Sequence, residues 1–180
     1  MKLVFLSLVF FSFSAFAGSS LSLKDLGFTE KEVKADENFS TAQLEKRHTY
    51  LKWHQYAALA TLATWGAAIA TAKEGGATGT HKALGYTTGA LYATAGTLAM
   101  LAPKPELTKP EKGPIVWHKR LIYIHLPAMI LTPILGAMAE KRYEKGQELK
   151  GIEKMHKAVA PIGFAALALS AAFMTFEITF

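Results

Sequence analysis

Long apolar blocks separated by charged ones dominate this chain. Four stretches, Trp53–Ala72, Ala83–Ala102, Leu121–Ala139 and Ala158–Phe176, contain no Asp, Glu, Lys or Arg. Each is long enough to cross a hydrocarbon layer of ~30 Å at ~1.5 Å per residue. The connections at 73–82, 103–120 and 140–157 are short, so successive helices are expected to be antiparallel neighbours. In lipid a backbone N–H or C=O has no water to bond, which favours helix in all four stretches, even in the second with its Gly and Thr content. The pattern predicts an all-α fold: a transmembrane four-helix up-down bundle, with the membrane domain at 48–180.

Two segments precede that domain. Residues 1–17, MKLVFLSLVFFSFSAFA, combine an early Lys, an apolar stretch from Leu3 and small residues at Ala15 and Ala17, which is the pattern of a signal peptide. The stretch is short for a span, which needs roughly 20 residues. Residues 18–47 are polar and read as an extracytoplasmic lead segment, partly helical near Thr41–Arg47. A secretory signal puts Gly18 outside, so helices one and three are expected to run inward and helices two and four outward. The expected location is the cell inner (cytoplasmic) membrane, multi-pass, with the N-terminal segment extracytoplasmic. In this orientation Lys and Arg are more numerous outside than inside, against the positive-inside tendency. The dense cluster Lys141, Arg142, Lys145, Lys150, Lys154 and Lys157 nevertheless falls on the inner side.

Composition narrows the chemistry. With 51% apolar residues and no Cys among 180, disulfides, iron–sulfur clusters and thiolate zinc sites are excluded. The net charge of +6 comes from Lys and Arg gathered at the ends of the apolar blocks, where they anchor helices to headgroups; this points to a lipid bilayer as partner and to no nucleic acid. No carboxylate lies inside the four stretches, so buried acid/base pairs have no support, and Ser-His-Asp and phosphate-loop patterns are missing. Whether the chain is an enzyme stays open, with an electron carrier favoured over a catalyst.

The six histidines, 48, 54, 81, 118, 125 and 156, all lie toward helix ends. Helix one opens with Trp53-His54 and helix three is preceded by Trp117-His118; helix two is preceded by His81-Lys82-Ala83 and helix four by His156-Lys157-Ala158. The chain thus reads as two tandem hairpins with histidines in matching places. Antiparallel topology then puts His54 and His118 at one depth and His81 and His156 at another. Two facing histidine pairs result, and opposed imidazoles from different helices supply the two axial ligands of an electron-transfer haem. Positions four and seven beyond a histidine share its face: Ala58 and Thr61 for His54, Gly85 and Thr88 for His81, Ala160 and Gly163 for His156, all small enough to leave room for a macrocycle. His118 has Ile122 and His125 there instead. His125 is an alternative ligand or an internal hydrogen-bond donor; the repeat favours His118. His48 is expected to be solvated. Trp53, Trp65, Trp117, Tyr56, Tyr86, Tyr92 and Tyr123 are expected to form aromatic belts and packing.

This arrangement resembles the cytochrome b561 superfamily over residues 50–178. His81-Lys-Ala-Leu-Gly85 is similar to that family's His-x-x-x-Gly helix start, and His54, His118 and His156 match the remaining ligand positions by helix and depth. The resemblance implies four core membrane helices with two b haems, held by histidines of the first and third and of the second and fourth helices. It also implies haem propionates near Lys119 and Arg120 outside and near Lys82 and Lys157 inside.

The leading expectation is therefore transmembrane electron transfer through haem b, two per chain, between a redox partner protein or quinol and a second acceptor, with homodimer formation left open. The alternatives are a non-haem metal protein binding zinc or copper through His48, His54, His118 and His125, and a structural or assembly subunit whose histidines are interfacial anchors.

Overall fold

Local chemistry sets the helix boundaries in the computed structural model, which describes residues 40–73, 76–105 and 110–176. The expected signal peptide and all of the lead segment before residue 40 lie outside the described residues. Helix α1 (Thr41–Ala70) starts at an Ser40 cap whose hydroxyl accepts from the Gln43 N–H. Helix α2 (Gly79–Leu101) starts at Thr78, whose hydroxyl accepts from the His81 N–H at 3.1 Å and so fixes that residue in the first turn. Helix α3 (Pro114–Glu144) opens with Pro at its first position, where the missing N–H removes no helical bond. It closes at Gly146, whose φ of 62° lets its N–H and that of Gln147 turn back onto the carbonyls of Tyr143 and Arg142. A 3-10 turn (Ile152–Met155) leads into helix α4 (His156–Phe176). Among the described residues there is no strand.

The fold is all-helical, as the hydropathy pattern predicts, and among the described residues two helical segments are long and apolar enough to cross a membrane: Pro114–Glu144 and Ile152–Thr175. Four helices are present, as expected, and the difference between the two pairs is compositional. The charge-free parts of α1 and α2 are made largely of Ala, Gly and Thr with Trp, His, Gln and Tyr among them, whereas α3 and α4 are denser in Ile, Leu, Phe and Met. The helices also outrun their apolar blocks. α1 begins well before Trp53, and α3 continues past Ala139 into the basic cluster.

α1 packs along α2 and α3 along α4, giving two antiparallel hairpins; between the hairpins, close backbone approach is concentrated where α1 meets α4. A buried cluster of Trp65, Met129 and Leu167, flanked by Leu62, Ile69, Tyr92 and Phe164, joins the two halves. Gly163 makes this contact feasible, because a Cβ there would run into Ala128 and into Trp65 Cη2 at 2.8 Å. The small residue at 163, expected to leave room for a macrocycle, instead admits the Trp65 ring. α2 and α3 are linked by side chains: Tyr92 Oη to His125 Nδ1 at 2.7 Å and Lys82 Nζ to Glu140 at 2.6 Å. At the connection before α4, the buried Glu153 carboxylate meets Arg142 Nε at 2.8 Å and accepts the Gly151 N–H, tying the loop to the end of α3.

Candidate functional site

Two histidine pairs bridge the hairpins. His54 on α1 and His118 at the start of α3 have ring centroids 6.1 Å apart, with ring planes at 87°. At the other end of the helices His81 and His156 stand 6.2 Å apart at 78°. A ligating imidazole nitrogen lies about 2.0–2.1 Å from its metal and the ring centre about 1.1 Å behind it, so two rings on opposite sides of one ion have centres about 6.4 Å apart. Both pairs are within a few tenths of an ångström of that spacing.

The second ring nitrogen of each histidine is committed elsewhere. His54 Nδ1 lies 2.8 Å from the Ala95 carbonyl, His81 Nδ1 2.8 Å from that of Ala68, and His156 Nδ1 2.9 Å from that of Thr132. His118 Nδ1 lies 2.8 Å from Ser170 Oγ and 3.3 Å from the Ser170 carbonyl. A carbonyl only accepts, so Nδ1 of His54, His81 and His156 carries the proton and their Nε2 keeps its lone pair, whereas the hydroxyl next to His118 Nδ1 can accept or donate. This is the outer-shell arrangement of metal-bound histidine, in which the distal N–H bonds a carbonyl and fixes both tautomer and ring orientation.

The anchors reveal how closely the two hairpins repeat. In each, the first-helix histidine bonds a second-helix carbonyl, and the second-helix histidine bonds a first-helix carbonyl. The separations are 41 and 13 residues in the first hairpin and 52 and 24 in the second. Both grow by the same amount, so the extra residues of the second hairpin lie in its connection and leave the helical register untouched. Every ring is therefore oriented by its own hairpin and faces a ring of the other.

The remaining sequence candidates fall in different places. His125 is buried, bonds Tyr92 through Nδ1, and has no partner for its Nε2 among the described residues; His118 rather than His125 faces His54. His48 belongs to neither pair. Thr61 and Thr88 are buried, and Thr88 Oγ1 bonds Thr64 Oγ1 at 2.9 Å, whereas a Cβ at Gly85 or Gly89 would meet nothing within 4 Å. Of the basic residues suggested for propionates, Lys119 pairs with Glu111, Lys82 with Glu140, and Arg120 lies over the Trp117 ring. Trp53, Tyr86, Trp117 and Tyr123 are exposed, as belt residues are expected to be, while Trp65 is core. Sequence reasoning missed Ala68, Ala95, Thr132 and Ser170, and for the backbone acceptors no side-chain signal existed to find them.

Gly136 provides a local test. A Cβ at this position would stand 3.0 Å from His156 Cε1 and 3.3 Å from its Nδ1, so Gly136→Ala is expected to displace that ring from His81. Altered imidazole NMR signals for His81 and His156 with those of His54 and His118 unchanged are the expected result for the variant.

Among the described residues no three His, Cys, Asp or Glu side chains gather closely enough to hold a metal ion. What the fold offers is pairs, and a two-histidine site suits a metal that brings its other ligands with it. No family model matches the chain, no curated protein matches it, and no solved structure matches its fold.

Proposed function

We propose that the protein is a membrane electron carrier binding two b-type haems, one between His54 and His118 and one between His81 and His156, of the kind found in the cytochrome b561 superfamily. The observation that carries this reading is the pair of cross-hairpin histidine couples at metal-bridging distance, each ring with Nδ1 tied off and Nε2 left to ligate. When bound, each haem would be held by His54 with His118 or by His81 with His156 and would supply one-electron redox chemistry, which suits electron transfer over oxygen chemistry. Along α1 from His54 to Ala68, the residue that orients His81, the rise is about 21 Å at ~1.5 Å per residue. Two such levels fit near the opposite faces of a ~30 Å hydrocarbon layer. On this reading α1 and α2 cross the membrane alongside α3 and α4, with their less apolar faces turned to the cofactors and to each other, and a quinol or redox protein serves as donor or acceptor.

Competing metal chemistry is disfavoured, because His48, His54, His118 and His125 do not form a common cluster. The test is the dithionite-reduced minus oxidised spectrum of purified, detergent-solubilised protein, with the haem-to-protein ratio. The expected result is b-type bands and about two haems per chain; a spectrum without them removes the assignment. The near-perpendicular ring planes add a second readout. Were the rings to keep these angles on a bound haem, the ferric protein would give a strongly anisotropic low-spin resonance at both sites.

A further inference from the structure

Three of the four histidines hand the Nδ1 proton to a backbone carbonyl at 2.8–2.9 Å. His118 does not. Its nearest acceptor is the Ser170 hydroxyl at 2.8 Å, with the Ser170 carbonyl further off at 3.3 Å. When Nε2 ligates, the proton sits on Nδ1, so Oγ acts as acceptor and its own hydrogen is directed to the His118 carbonyl at 3.4 Å. Ser170 is wholly buried, so water does not compete for either bond.

A hydroxyl is a weaker acceptor than an amide carbonyl. The more strongly Nδ1–H is drawn away, the more basic Nε2 becomes, and the better it stabilises the higher-charged, oxidised iron. His118 is thus a poorer donor than the three carbonyl-anchored rings. We infer that Ser170 is a positioning residue that raises the reduction potential of the haem held by His54 and His118, favouring electron residence at that end of the protein. The inference rests on the di-haem reading and deepens it by giving the two sites unequal affinity for the electron.

The experiment is a potentiometric titration of the haem-loaded protein, comparing wild type, Ser170→Ala and Ser170→Thr, each also in a His156→Ala background to isolate the His54–His118 haem. In Ser170→Ala, Nδ1 turns to the carbonyl of residue 170 as sole acceptor. The expected outcome is that both haems are retained, one midpoint falls, the other stays, and Ser170→Thr restores the wild-type value. A three- to tenfold change in the reduction equilibrium is expected, about 30–60 mV for one electron. An unchanged or raised midpoint, an equal shift at both haems, or loss of the His54–His118 haem from the alanine variant overturns the role of Ser170 while leaving the di-haem reading intact. Wild-type protein that binds no haem overturns both.

Discussion

Alanine at His81 or at His156 is expected to lower the haem content from about two per chain to about one, with the same remaining spectrum in either variant. The two residues lie on different hairpins, 6.2 Å apart ring to ring, and no group of three ligating side chains that could stand in for a lost one occurs among the described residues. The double variant His81→Ala/His156→Ala should lose no more than either single one, because the two substitutions destroy one site. His54→Ala and His118→Ala should behave alike and remove the other haem. His125→Ala is expected to keep both, since its ring bonds Tyr92 instead of facing a histidine. Retention of two haems in His81→Ala, or loss of both, contradicts the pairing. Haem extraction and quantitation on the purified variants decide it.

The second large effect is expected at Gly163. An added methyl would overlap Ala128 and the Trp65 ring at the point where the hairpins meet, and Trp65 is almost wholly buried, with 3% of its surface exposed. Both neighbours are buried, so Gly163→Ala should destabilise the protein by about 1–3 kcal/mol, the usual range for overpacking a filled interior. Both haems should become easier to lose together, because the substitution spreads the hairpins without touching any histidine. The measurement is the thermal midpoint of the loaded protein followed at the Soret band. A Gly163→Ala variant as stable as wild type would mean that the Trp65 contact is not the joint between the halves.

Much of the helical architecture was readable because charge-free blocks of the right length are hard to mistake. What hydropathy did not separate was the two strongly apolar segments from the two made of Ala, Gly and Thr, since the absence of charge is a weaker criterion than the presence of Leu and Ile. The facing of His54 with His118 and of His81 with His156 followed from the tandem Trp-His and His-Lys-Ala pattern plus antiparallel topology, and the same repeat favoured His118 over His125. The anchoring of the rings was hidden. Ala68, Ala95 and Thr132 act through their carbonyls, which every residue possesses, so nothing in their identity marks them. Ser170 does act through its side chain, but a lone serine in an apolar helix is indistinguishable by sequence from one that merely bonds its own helix. Gly163 was legible as small; what it made room for required coordinates.

The orientation of every ring by its own hairpin has a consequence for biogenesis. Each half of the protein carries one imidazole of each couple and can hold it correctly posed, yet neither half can complete a coordination sphere. On the haem reading the cofactors would add two clasps to the α1–α4 seam, the Tyr92–His125 bond and the Lys82–Glu140 pair that join the halves without them. On that reading, the steady-state abundance of this protein should track haem supply more steeply than its rate of synthesis.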